Sequence, residues 1–259
     1  MSNATISVED ETSIRTITLN RPERRNAITP EMQLELIAAM ELAAADRCRV
    51  VVLRGAGEAF CSGLDLQGLH RPSGKTAADY QADAERIARL FLTLYELPIP
   101  SIAAVHGPAM AGGAGLAILC DFTLAVPAAK FGFPEVRIGF VPALVSVFLA
   151  LQIGNKRTRD ILLTGRHFDA AEAYRLGIVN EVVAPKGLME RVGTLAQTLA
   201  ANSPESLAAT KRLLVAQHKA WIDSAIALAM EASARAHETE DFREGLGAYL
   251  EKRKPVWPQ

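Results

Sequence analysis

Residues 102–121, IAAVHGPAMAGGAGLAILCD, set Gly107-Pro108 and Gly112-Gly113 inside an apolar stretch, a pattern suited to holding a negatively charged oxygen. Ile102-Ala103-Ala104-Val105 reads as a buried strand, and the small and aliphatic run from Ala114 to Leu119 as a buried helix. Glycines at the junction let backbone approach a ligand closely, and the first N–H groups of a helix have no acceptor within it. With the helix dipole behind them, those N–H groups favour an oxyanion. The same glycines would also serve tight strand–helix packing. Gly107 to Gly113 does not spell G-x-G-x-x-G, so a dinucleotide is not indicated. His106 beside the turn reads as a satisfied loop histidine, and Cys61 and Cys120 as small buried hydrophobes.

Elements that would position this turn are legible on both sides of it. Ile6-Ser7-Val8 and residues 14–19 alternate apolar and polar around a turn at 9–13, which predicts a hairpin with one wet face. After a polar loop at 20–27, Thr29-Pro30 caps a helix reaching Ala45. Val50-Val51-Val52-Leu53 is a buried strand, and the polar run 67–79 a mobile loop of the kind that covers sites. A helix over 78–97 precedes the glycine stretch; a strand over 122–126 and an apolar, core-bound segment over 141–153 follow it. Residues 160–163 and 170–176 are helical, Gly177 ends the second, and 178–183 is a strand. Beyond Pro185 only helices are signalled, at 188–201, 204–218, 221–237 and 241–251. Trp221, Ala225, Leu228 and Ala232 form a stripe in the third, widened by Ile222, Ile226, Ala229 and Met230.

At 259 residues the chain can build one large α/β domain, or one domain with an appendage. Its 28 basic and 29 acidic side chains leave a charge of -1, so no overall field draws it to nucleic acid or membrane. Cys48, Cys61 and Cys120 form neither a metal spacing nor a paired framework, which fits reduced thiols in the cytoplasm. Residues 1–11 show no signal peptide, and every apolar run is shorter than a membrane span.

Four stretches in order resemble the crotonase, or enoyl-CoA hydratase/isomerase, family: Leu19 to Ala27 (LNRPERRNA), Phe60 to Leu66 (FCSGLDL), Ala104 to Leu116, and Phe131 to Glu135 (FGFPE). The ending EDFREGLGAYLEKRKP, residues 240–255, is similar to the family's C-terminal end. The resemblance implies an α/β spiral of repeated ββα units with an all-helical C-terminal region. Residues 1–195 would be the core with the acyl-CoA site, and 196–259 the helical part that assembles a homotrimer or a dimer of trimers. The wide apolar stripes after Ala201 agree with burial against another subunit.

The substrates so implied are acyl-CoA thioesters, with coenzyme A as part of the substrate and no separate cofactor or metal. Two backbone N–H groups, by position Leu64 and Gly112, would hold the thioester oxygen and stabilise an enolate, each worth roughly 3 kcal/mol. Arg24, Ala27, Ser62, Asp65 and Leu66 fall where the family binds CoA; Asp65 reads more as a structural loop residue than a catalyst. Arg25 also suits phosphates, and Lys252, Arg253 and Lys254 a neighbouring subunit's CoA.

Hydratases of the family carry two carboxylates. One is present here as Glu135; the other aligns with Gly115 and is absent. Hydration must activate water and deliver a proton to carbon, whereas moving a double bond needs one proton taken and returned, which a single carboxylate can do. The residues therefore favour 3-enoyl-CoA to 2-enoyl-CoA isomerisation. Hydration of a 2-enoyl-CoA (hydratase or lyase) is the alternative, ahead of a non-catalytic acyl-CoA binder. Gly115 is expected to leave space, so that Glu at 115 would raise hydration. The Pro142-Ala143-Leu144-Val145 segment departs from the hydratases' Gly-rich run.

Overall fold

The computed structural model describes residues 4–66 and 76–258. Strands β1 (Ile6–Glu11) and β2 (Ile14–Leu19) pair antiparallel, from Ile6 opposite Leu19 to Glu11 opposite Ile14. The first strand thus runs through residues 9–11, assigned above to a turn. Asp10 holds the Arg15 guanidinium through two 2.8 Å bonds, and Thr12 takes a φ of 58° that a two-residue hairpin accepts.

Later turns of the chain each add a long strand to one sheet and a short strand to another. β3 (Val50–Gly55) is followed by Cys61, β4 (Ser101–Val105) by β5 (Ala109–Met110), and β6 (Phe122–Ala125) by β7 (Lys130–Gly132). The small sheet closes on β8 (His167–Asp169), the large one on β9 (Glu181–Val182). The large sheet has the order β1-β2-β3-β4-β6-β9 and is parallel from β2 onward. This winding is the expected spiral of ββα units. β5 and β8 went unseen in the sequence because two or three residues are too few for an alternation to register.

Ten helices are named among the described residues: α1 (Pro30–Ala45), α2 (Ala77–Tyr95), α3 (Gly112–Leu119), α4 (Ala143–Ile153), α5 (Asn155–Thr164), α6 (Ala170–Leu176), α7 (Leu188–Ala200), α8 (Pro204–Ala216), α9 (Lys219–Ala236) and α10 (Glu240–Leu250). Thr29 caps α1 through Met32 N–H, as its sequence requires. The predicted loop at 67–79 falls, over 67–75, outside the described residues. Its last residues are helical, since Thr76 and Asp79 form a reciprocal cap that starts α2 at Ala77. Of the strand predicted over 178–183, only two residues pair with β6. Ile178 and Val179 instead donate to the Ala173 carbonyl and close α6, with Gly177 at φ 85°.

Helix α9 packs against α2 and α4 with Ile222, Ile226, Ala229, Ser233 and Ala236 buried. The other half of its predicted stripe faces outward, with Trp221 48% and Leu228 68% exposed. Helix α8 buries no residue of its own, and Leu213 and Leu214 stay exposed. It is tied down by Lys211, whose Nζ donates to Asp121 Oδ2 at 2.6 Å and to the Ile99 carbonyl at 3.0 Å.

Candidate active site

Asn26 organises the first wall. Its side chain is fully buried, and Nδ2 donates to the carbonyls of Ala56, Ala59 and Phe60 at 2.9, 2.8 and 3.2 Å while Oδ1 accepts from Arg21 N–H. Asn tolerates the left-handed φ of 56° found there. Sequence reading placed Asn26 in a polar loop and missed this role; its signal was an Asn inside the LNRPERRNA stretch. The anchored loop then sets the next turn. Ile28 N–H donates to Gly63 O at 2.8 Å and Asp65 N–H to Ile28 O at 3.0 Å. These bonds bracket Leu64, whose N–H has no acceptor among the described residues.

The second wall is the strand–turn–helix read at the outset. Ala111 precedes α3 with φ 50° and ψ −125°, a conformation strained for any residue with a Cβ. The strain falls on an alanine, one residue before the Gly112-Gly113 pair. It is held because Ala111 N–H donates to Gly132 O at 2.8 Å and Ala111 O accepts from Gly115 N–H at 2.9 Å. Gly112 begins α3, and its N–H has no acceptor among the described residues. Gly63, at φ 91°, brings the two turns together: a Cβ there would stand 2.8 Å from Ala111 Cβ and 3.4 Å from Gly112 N.

Glu135 closes the arrangement from a 3-10 helix, Glu135–Ile138, that follows β7. The residue is half-buried, yet its Oε2 is wholly buried with no hydrogen-bond partner among the described residues. Desolvation pushes the carboxyl up to about 7, against a smaller opposing effect of its own backbone N–H. A buried acid that is half-ionised near neutral pH suits proton transfer in both directions.

Leu64, Gly112 and Glu135 line one cavity of about 600 Å³, together with Ser62, Leu66 and Arg25. Among the described residues Glu135 is the only carboxylate on that lining. The C-terminal helix of the same chain completes the wall with Phe242, Gly245 and Tyr249, and Arg253 reaches it beyond the helix. Arg253 is bonded to both oxygens of Glu244, whose carboxyl it holds down at about 2. Arg24 and Asp65 lie apart, on an adjoining cavity of about 410 Å³ that also touches Leu64. The Asp65 carboxylate accepts from Arg21 at 3.1 Å, which is the structural duty read in the sequence. Ala27 is buried, and its carbonyl accepts from Arg21 at 2.6 Å. His106 is satisfied by the Gly57 carbonyl at 2.9 Å. Burial pushes the Cys61 and Cys120 thiols up to about 12, so neither is a nucleophile near neutral pH. Among the described residues, no group of three or more His, Cys, Asp or Glu could hold a metal ion.

Gly115 does not leave the space expected of it. A Cβ there would meet Phe91 Cζ at 2.7 Å, Phe91 Cε2 at 3.0 Å and Val145 Cγ2 at 3.1 Å. The sequence placed Phe91 only within a helix over 78–97 and gave no sign that its ring reaches α3.

A family model described as enoyl-CoA hydratase/isomerase matches residues 9–259. A Thermus thermophilus protein named provisionally as an enoyl-CoA hydratase is 44% identical over 243 residues, covering 93% of this chain and 96% of its own. The (E)-benzylidenesuccinyl-CoA hydratase of Thauera aromatica is 33% identical, covering 97% of this chain and 98% of its own. The crystal structure of an enoyl-CoA hydratase/isomerase from Xanthobacter autotrophicus Py2 superposes with a TM-score of 0.90 at 32% identity, covering 100% of both chains.

Proposed function

Since the chain belongs to the enoyl-CoA hydratase/isomerase family and is an enzyme of it, we propose that it moves the double bond of a 3-enoyl-CoA to give the 2-enoyl-CoA. The observation that carries this reading is that Glu135 is, among the described residues, the single carboxylate on the cavity that Leu64 and Gly112 also line. The thioester oxygen accepts from the N–H groups of Leu64 and Gly112. Glu135, ionised, takes a proton from C2, and the electron pair delocalises through the carbonyl and the C3–C4 double bond as a dienolate. The same carboxyl then returns the proton to C4, leaving the double bond between C2 and C3 with no atom gained or lost. Each N–H donor contributes about 3 kcal/mol where charge develops on oxygen. No cofactor enters these steps, and coenzyme A is the substrate's own handle.

Ser62, Leu66 and Arg25 line the same cavity and are assigned to substrate binding; Ala27, assigned with them, lines neither cavity. Arg24 and Asp65 belong to this binding only if the CoA reaches the adjoining cavity. We assign a homotrimer or its dimer to the exposed apolar residues of α8 and α9, and the cytoplasm to the three free cysteines.

Hydration of a 2-enoyl-CoA is the second reading, favoured by relatives that are named hydratases. Purified enzyme incubated separately with 3-enoyl- and 2-enoyl-CoA of short and medium chain decides between them, with products separated by chromatography. The isomerase reading requires faster conversion of the 3-enoyl substrate. Efficient formation of 3-hydroxyacyl-CoA beside untouched 3-enoyl-CoA replaces it with the hydratase.

A further inference from the structure

We infer that Phe91 determines the reaction's specificity by filling the place from which a second acid/base group would hold water against the substrate. The inference rests on the isomerase reading and concerns the same cavity, which Phe91 lines with Glu135, Leu64 and Gly112. Gly115 lies one turn along α3 from Gly112, so both stand on one helix face. A side chain at 115 would therefore project beside the oxygen-binding turn. That space is taken by the tip of Phe91, whose Cζ comes within 2.7 Å of where a Gly115 Cβ would be.

The ring is itself packed on its other flanks. Phe91 is 2% exposed, sits edge-on to Phe148 at 6.4 Å, and shares the wall with Val145. A held water needs two to four polar partners, and Phe91, Val145 and a residue without a side chain supply none. Among the described residues, a nucleophilic oxygen has no seat beside Gly115. The proton on Glu135 meets little solvent while the dienolate lasts, and returns to carbon. Withholding water is thus the work of an aromatic ring as well as of a missing carboxylate.

A double-mutant cycle of Phe91→Ala and Gly115→Glu tests the assignment, read as the ratio of hydration to isomerisation and as deuterium at C4 of the product in D2O. Wild type should isomerise with low deuterium content. Gly115→Glu alone should not raise the ratio, because the ring occupies the space. Phe91→Ala should raise both the ratio and the deuterium content, and the double variant should exceed either single by about tenfold or more in ratio. Should Phe91→Ala not fold, Phe91→Leu must move both readouts in the same direction. A folded Phe91 variant with ratio and deuterium unchanged, or Gly115→Glu alone matching the double, overturns the inference and leaves the isomerase reading standing. Wild type that hydrates and does not isomerise overturns both.

Discussion

Gly245 on α10 rests directly on the backbone of Ile138: a Cβ on it would lie 2.3 Å from the Ile138 carbonyl carbon and 2.4 Å from its oxygen. Backbone atoms cannot yield as a side-chain tip can. The contact presses the C-terminal helix onto the short 3-10 helix that carries Glu135, with Gly139 packed as closely against the Asp241 carbonyl. Gly245→Ala must therefore lift α10 or shift residues 135–138. Displacement of a reacting group by about 1 Å can cost on the order of 100-fold. Steady-state kinetics should show kcat falling by about ten- to 100-fold while circular dichroism stays that of the wild type. Unaltered kcat would show that this packing does not position Glu135.

Glu135 should control both rate and stability through one titration. As a base it must be ionised, so kcat/KM should climb with pH and level off above about 7. Glu135→Gln should remove turnover by several orders of magnitude and abolish that limb while acyl-CoA still binds, as calorimetry would register.

The stability effect runs the other way. The folded carboxyl, at about 7, binds its proton more tightly than the unfolded one at 4.5. The advantage is complete below 4.5 and is lost as pH rises through 7, a loss of order 3 kcal/mol for a shift of this size. Glu135→Gln, which carries no charge to bury, should unfold at higher denaturant than wild type at pH 8. The difference should shrink at pH 5.

Asn26→Ala should be among the most damaging substitutions outside Glu135. It leaves the carbonyls of Ala56, Ala59 and Phe60 without the amide that serves all three, in a fully buried place. Unsatisfied buried groups cost about 1–3 kcal/mol each, so urea denaturation should show a loss of about 3 kcal/mol or more. The turn carrying Leu64 N–H would loosen with it, and kcat should fall further than KM rises.

Light scattering at micromolar concentration should give a trimer or its multiple. Leu213 and Leu214 on α8 and Trp221 and Leu228 on α9 are exposed in the single chain, apolar surface that a neighbouring copy would cover. Leu228→Glu should lower the mass toward one chain, and wild type found as a stable monomer would refute the assignment.

Much of this protein is determined locally and could be read from the sequence. Continuous apolar runs over 50–53 and 102–105 specify buried strands, and Thr29 and Ser203 mark helix starts through their own side-chain bonds. The turn before Gly112 and the carboxylate at Glu135 were legible because their surroundings are short, ordered motifs. Other features depend on residues far apart in the chain, and no local pattern encodes them. Phe91 on α2 meets Gly115 on α3, Asn26 gathers carbonyls from residues 56–60, and Gly245 touches Ile138 across more than a hundred residues. Glu135 acquires its raised pKa only when folding strips water from Oε2. Composition and periodicity report which face of an element is apolar; only tertiary packing decides which atom of another element that face meets.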